Sequence, residues 1–448
     1  MSRVREAAAV ASERVRQGRR NLIRAERAAA RRLQLRNLPL AGAALLAVSC
    51  LTLLAAVVLY LTGRPWERGW GWTWQADVMS WKDRLTYAGA VVTATGAVVA
   101  LVVSYRKQRD AEEGRFAAQF AAAAAQLGDA APAVRIAGVY ALAALADRHH
   151  EQRQQIIDAL CGYLRLPYDP SAGRGHLRER SVHRPEGGSE LTDVHAYRPA
   201  DREVRLTIIR VIRDHLRNPG AHTSWCGRDF DFTGAVLDGG DFDGAVFSGG
   251  TVSFYGAVFS GGRVSFRGAV FSGGRVSFYG AVFSGGRVSF DRAAFSGGWV
   301  SFFGAVFSGG EVSFDSAVFS DGRVSFAGAV FSGGRVSFAW AKFSGGWVFF
   351  DGAVFSDGEV SFIAAVFSGG GVSFDQAKFS GGTVSFDQAK FSGGRVSFDQ
   401  AKFSGGTVAF DQAEFSGGRV SFDQAEFSGG EVTRDKKPFR GWPTPPGQ

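Results

Sequence analysis

The side chains able to do covalent or metal chemistry are few, and their spacing does not assemble a site. His149 and His150 are adjacent, so on a helix they point about 100° apart and cannot chelate one metal together. His176, His183 and His195 are dispersed through a polar stretch. Of the three Cys, Cys50 lies inside an apolar run and Cys161 among helix-forming apolar residues, where a thiol reads as a buried group rather than a nucleophile. No CxxC spacing, GxSxG elbow or GxxxxGK[ST] loop occurs, so metal, acyl-transfer and phosphate-cradling chemistry all lack their residues. With no cystine framework the chain also suits a reducing compartment. The expectation is a protein that is not an enzyme and takes no cofactor or metal. What the residues do support is surface recognition. Arg275, Trp299, Arg323 and Trp347 recur every 24 residues, as do Arg287, Glu311, Arg335 and Glu359. Were residues 24 apart neighbours, the first set would form a cation–π column and the second a column of opposite charges.

Those columns need an element that brings residues of one spacing side by side. From Phe242 onward a unit of 12 residues, xVSFDQAKFSGG in its commonest form, recurs sixteen times. Phe fills every copy of two positions, Phe242 to Phe422 and Phe247 to Phe427, while Ala245 to Ala425 and Val252 to Val432 are equally constant. Fixed-period self-similarity means stacked units, each burying its apolar side against the next. Within a unit the apolar residues form two triplets, A-x-F and V-x-F, whose first and third members share one side of a short strand. Gly382 and its equivalents do not vary, and the residue before them is Gly or, at Asp321 and Asp357, Asp. Such a pair suits a corner that visits φ > 0. The pattern predicts a parallel β-solenoid over residues 229–432. A winding of 12 residues per coil would stack Arg275 on Arg287; a winding of 24 gives the favourable columns and is expected here. The remaining outward positions in A-x-F offer a Val stripe, Val258, Val282, Val306 and Val330 among it, as a candidate docking face.

Just before the repeat, DFTGAVLDGGDFDGAVF spaces Phe232, Leu237, Phe242 and Phe247 five apart, with Ala235 and Ala245 two residues ahead of Leu237 and Phe247. Here the chain resembles the pentapeptide-repeat family, and its FSGG-x-VSF phrases are similar to a membrane-anchored actinobacterial variant of it. The resemblance implies a right-handed, four-sided β-helix. It also brings an alternative function, mimicry of duplex DNA to bind a topoisomerase, which needs a continuous acidic face. Two extra residues in every second face depart from the family's square cross-section.

Charge divides the chain. Residues 229–432 carry 13 Lys/Arg against 20 Asp/Glu, whereas residues 1–37 hold 11 Arg against 3 Glu. This basic arm precedes Leu38–Thr62, an uncharged run long enough to span a bilayer. A second uncharged run, Tyr87–Tyr105, places Gly89, Thr93 and Ala97 on one face, as close-packing membrane helices do. The loop 63–86 holds Trp66, Trp70, Trp72, Trp74 and Trp81, rings suited to the membrane interface. Basic residues flank both runs on the outer sides, so the positive-inside rule predicts a multi-pass plasma-membrane protein with both termini cytoplasmic.

Residues 106–228 read as an all-helical, HEAT-like module. Its expected buried faces are Val134, Ala137, Ala141 and Leu145 in one helix, Ile156, Ile157, Leu160 and Leu164 in the next, and Val204, Ile208, Val211, Ile212 and Leu216 in the last. Its stretch 171–198 reads as a polar loop, and 433–448 as a disordered tail. The expected assembly is a two-helix transmembrane hairpin, the helical module and a β-solenoid, serving as a non-enzymatic scaffold for a cytoplasmic protein. Membrane lipid is the other expected partner; nucleic acid is not expected, since the Arg-rich arm reads as a juxtamembrane basic segment. The mixed charge of the repeat argues against mimicry of a duplex, and self-association through transmembrane or solenoid faces stays open.

Overall fold

The computed structural model describes residues 80–170, 179–186, 189–196, 200–417 and 419–438. The chain divides into two compact units, 1–117 and 118–448. Helix α1, Trp81–Leu127, contains the whole of Tyr87–Tyr105. The expected transmembrane hairpin is not found among the described residues, where no helix is long and apolar enough to cross a membrane. Small and polar residues, Gly89, Thr93 and Gly96 among them, dilute that run, and the Thr93 hydroxyl donates back to the Gly89 carbonyl at 2.8 Å. The run Leu38–Thr62, the basic arm and Trp66, Trp70, Trp72 and Trp74 lie outside the described residues, and Trp81 begins α1. Of the tail expected to be disordered over 433–448, the first residues instead fold back in an antiparallel pairing of Thr433 with Pro438 and Arg434 with Lys437, and those from 439 on lie outside the described residues.

In the second unit α2 (Pro132–Arg148) and α3 (Arg153–Arg165) precede an antiparallel hairpin, β1 (Glu179–Glu186) with β2 (Ser189–Ala196), and α4 (Asp201–Leu216). The hairpin corrects the loop expected at 171–198. Its register runs from Glu179 opposite Ala196 to Glu186 opposite Ser189. The apolar faces of α3 and α4 are buried as expected. That of α2 is so only in part: Leu145 is buried as expected, but Val134 and Ala137 are exposed, and the helix buries Arg135, Gly138, Val139 and Leu142 instead. Gly138 decides this rotation, since a Cβ there would meet the Leu127 backbone nitrogen at 2.6 Å.

The solenoid coil holds 24 residues. Parallel registers pair Arg275 with Trp299, Val282 with Val306, Arg287 with Glu311 and Ala294 with Val318, one pair for each of four faces. The result is a right-handed stack of about eight turns. The extra residues of each unit go into the Ser-Gly-Gly corners; the earlier coils keep four short strands, and from Val330 on the segments of the second and third faces join through their corner into one eight-residue strand, as in Val330–Ser337 and Val354–Ser361. Four columns of Phe fill the interior. Phe278, Phe302 and Phe326 stack at 4.6 and 4.7 Å with planes within 4° of parallel, and neighbouring columns meet edge to face, as Phe254 and Phe266 do at 5.7 Å and 89°. Both geometries suit the quadrupole of the ring.

The invariant corner glycine is demanded for two reasons. At Gly286 and Gly310 φ is +71°, and a Cβ would fall 2.3 Å from the carbonyl oxygen of the coil before. At Gly274 the φ is ordinary, yet a Cβ would still sit 2.3 Å from the Gly250 oxygen. Close stacking of backbones therefore excludes a side chain at both corners, while the less crowded neighbouring position accepts Asp321 at φ +51°.

Helices α3 and α4 cover the first coil. Ile209 of α4 lies over Gly240, whose absent Cβ would be 2.9 Å from its Cδ1. Around that coil four Asp meet arginines of the module, Asp231 with Arg165, Asp238 with Arg202, Asp241 with Arg213, and the Asp243 carbonyl with Arg217, while Asp229 exchanges hydrogen bonds with Gln154. Beneath them Asp201 accepts from the Tyr163 hydroxyl and from Arg205, and Arg205 also donates to the Leu164 and Leu166 carbonyls. An open end of stacked backbone is thus closed by charge pairs at its rim and aliphatic side chains at its centre.

Candidate interaction surface

Because consecutive coils superpose, every outward position becomes a column. The first face carries Thr251, Arg275, Trp299, Arg323 and Trp347 in register. The Arg275 guanidinium lies 5.3 Å from the Trp299 ring centroid. Beyond Trp347 the column reaches Gly371, and a Cβ there would lie 2.3 Å from Cζ3 of Trp347. The indole thus rests on the next coil, and only glycine leaves room for it.

The second face carries the Val stripe, with Val258, Val282, Val306 and Val330 adjacent in one column. Each is half-buried between its neighbours, so the stripe is a shallow aliphatic ridge. The third face carries Arg287, Glu311, Arg335 and Glu359 in register. Arg287 reaches Glu311 at 2.7 Å and Arg335 reaches Glu359 at 2.8 Å. These pairs are exposed and contribute on the order of 0.2–1 kcal/mol each; their larger effect is to neutralise the face. On later coils the second and fourth faces replace Val with Lys and then Glu, pairing Lys402 with Glu426 at 2.9 Å and Lys390 with Glu414 at 3.3 Å.

Two features escaped the sequence reading. One is a stack of corner aromatics beside the first face: Tyr255 on Tyr279 at 5.2 Å and Tyr279 on Phe303 at 5.3 Å, all exposed. These residues occupy a variable position of the 12-residue unit, and only reading at 24 aligns them. The other is the use made of the repeated Ser. In V-S-F-D the Ser hydroxyl donates to the Asp carboxylate of the preceding coil, as Ser313 to Asp291, Ser373 to Asp351 and Ser421 to Asp399. It also accepts from the Asp amide two residues on, as from Asp315 and Asp375 at 3.2 Å. These hydroxyls join coils and are spent inside the structure.

The carboxylates of one corner differ in consequence. Burial holds the Asp351 carboxyl above its ordinary value, helped by repulsion from Asp375 and opposed by the Ser373 hydroxyl. At Asp399 burial pushes the same way, but the Ser421 hydroxyl, the Asp423 amide, the Ser397 hydroxyl and Arg395 together hold it below that value. A carboxylate depressed by folding stabilises above its unfolded pKa and loses that contribution as pH falls through the folded one. A raised carboxyl favours the fold in its protonated form, and that advantage disappears as pH rises through the folded pKa. Asp399→Asn is therefore expected to lower the denaturant midpoint at pH 7, by an amount that shrinks as pH falls below the ordinary carboxylate range and through the folded pKa. Asp351→Asn, which keeps an acceptor for Ser373, should raise it at pH 7. Urea titrations of both variants check the opposite signs.

Among the described residues no group of His, Cys, Asp and Glu could hold a metal ion. Cys161 is enclosed in α3, where burial pushes its thiol up to about 12, far from the thiolate a nucleophile needs. His149 ends α2, its amide bonded to the Leu145 carbonyl, and His183 and His195 lie on the two hairpin strands.

A parallel solenoid with a closed core and columnar surfaces is the architecture of a repeat protein that presents a surface to other molecules. Within it, residues 232–282 match the family model for pentapeptide repeats (9 copies). No curated protein and no solved structure matches the chain.

Proposed function

We propose that the chain is a non-enzymatic, membrane-anchored interaction module. Its rigid solenoid offers the Val ridge of the second face, with the neutralised ion ladder of the third face beside it, to a cytoplasmic protein. One observation carries this reading: the 24-residue register turns Val258, Val282, Val306 and Val330 into a straight, half-buried ridge flanked by Arg287–Glu311 and Arg335–Glu359 pairs. An apolar centre with a polar rim is what a protein interface uses. The interleaved Arg and Glu speak against a continuous acidic face, and so against duplex mimicry and capture of a topoisomerase.

Support for the anchor comes from the uncharged run Leu38–Thr62 and from α1, whose Val98, Leu101 and Val103 side chains are exposed. The proposal takes Tyr87–Tyr105, too dilute to cross alone, to enter the bilayer beside Leu38–Thr62, and the basic residues flanking the two runs then place both termini in the cytoplasm. Cross-linking in cells tests the docking face. Proteins captured by the intact chain should be lost when Val258, Val282, Val306 and Val330 are changed to Lys, and an unchanged set would overturn it. Alkaline carbonate should leave the chain in the membrane pellet; its release would sink the anchor.

A further inference from the structure

The first face is unlike the other three. Along its outward and corner columns from Thr251 to Phe349 stand Tyr255, Tyr279, Trp299, Phe303 and Trp347, each between 42% and 47% exposed. The charges of the outward column are Arg275 and Arg323; the corner column runs Tyr255, Tyr279, Phe303, Ala327 and ends on Asp351, half-buried and held by the Ser373 hydroxyl, and Asp321 lies in the corner before Arg323. Five coils at ~4.8 Å make a strip of roughly 19 Å.

The orientation of the rings limits what can bind. Tyr279 is sandwiched by Tyr255 and Phe303 at 5.2 and 5.3 Å, with planes 8° and 14° from parallel. Arg275 covers Trp299, and Trp347 lies flat over Gly371. Ring faces are taken up along the column, so edges point outward. A nucleic-acid base or a sugar ring needs an exposed face to stack on, and the strip offers few. Edge-on Tyr and Trp, at equal height because the register repeats by translation, with guanidinium groups among them, suit a flat layer that is apolar below and anionic at its surface.

We propose that this strip lies on an anionic lipid headgroup layer, with Arg275 and Arg323 pairing to phosphate and the aromatic edges entering the interface. The proposal rests on the membrane-anchored reading for its location but assigns a second, separate lipid contact. It sets the third face, across the coil, toward the cytoplasm.

The test uses the full-length chain with Cys50→Ser and Cys226→Ser, bearing an environment-sensitive fluorophore at Ala327→Cys on the strip or at Thr383→Cys on the third face. Each is placed in nanodiscs of phosphatidylcholine with or without phosphatidylglycerol. With the anionic lipid, emission from position 327 should shift to the blue and rise about twofold, while position 383 stays unchanged. The pair Arg275→Glu and Arg323→Glu should abolish the response with the circular dichroism spectrum intact. An unresponsive position 327, or equal responses at both positions, overturns the proposal and leaves the strip to a protein partner. Should the chain fail to enter nanodiscs, the anchor is refuted, and phosphatidylglycerol vesicles added to the labelled chain test the strip alone: a response only at 327 upholds it and none refutes it.

Discussion

Gly286→Val is expected to cost more than about 3 kcal/mol and to split the unfolding of the solenoid into two transitions. The residue has φ +71°, which costs an L-residue roughly 1–2 kcal/mol and a β-branched one more. Its Cβ would also lie 2.3 Å from the Gly262 oxygen and 2.6 Å from the Gly261 carbonyl carbon. Those are backbone atoms of the coil before, so the clash is relieved only by parting two coils. A stack stabilised by nearest-neighbour interfaces then unfolds as two shorter stacks. Gly280→Asn is the control. It too has positive φ, at +61°, but nothing lies within 4 Å of a Cβ there, and the same column holds Gln376, Gln400 and Gln424 in the left-handed region. Its cost should stay below about 1 kcal/mol, because Asn tolerates that conformation. Guanidinium titrations followed by circular dichroism check both; a single transition with an unchanged midpoint for Gly286→Val would refute the account of the corner.

Phe302→Ala should destabilise by about 3–5 kcal/mol. The ring is wholly buried, stacked at 4.6 and 4.7 Å by Phe278 and Phe326 and touched edge-on by Phe290 and Phe314 at 5.9 and 5.6 Å. Each neighbour is itself held by a column, so the cavity has little freedom to collapse, and cost rises with the volume left empty. Phe427→Ala lies in another Phe column, where the side chain is 46% exposed at the C-terminal end, and should lose far less. Chemical denaturation of the two variants checks the difference. Equal losses would mean that the columns do not form one close-packed core.

The repeat made the solenoid legible because its two Phe, its Ala and its Val repeat without exception, and a constant apolar position at fixed spacing has few physical uses. The winding was legible as well, though only through the Arg275–Trp299 and Arg287–Glu311 columns, since the core residues repeat equally well at 12 and 24. Other parts were not. In the Ala-rich α2 the apolar and small residues surround the helix, so nothing in the pattern picks out Gly138 and Val139 as the inner face. The hairpin of Glu179–Glu186 with Ser189–Ala196 is short and polar, without the alternation that marks a strand. Nothing in the order of residues ties Asp231, Asp238 and Asp241 to Arg165, Arg202 and Arg213, because those pairs form only once α3 and α4 pack on the first coil.

The sequence by itself determined what each coil contains: which residues turn inward and where the corners fall. Those properties depend on the order of residues within one unit, which the chain states directly. Beyond the Arg275–Trp299 and Arg287–Glu311 columns, only the tertiary structure decided which outward side chains touch, because every such contact joins residues about 24 apart or on different elements. Stacking turned scattered Tyr255, Tyr279 and Phe303 into one edge-on column, spent the Ser hydroxyls on Asp carboxylates, and laid Trp347 across Gly371. Surface chemistry in a solenoid is a property of neighbouring coils, and a single coil does not contain it.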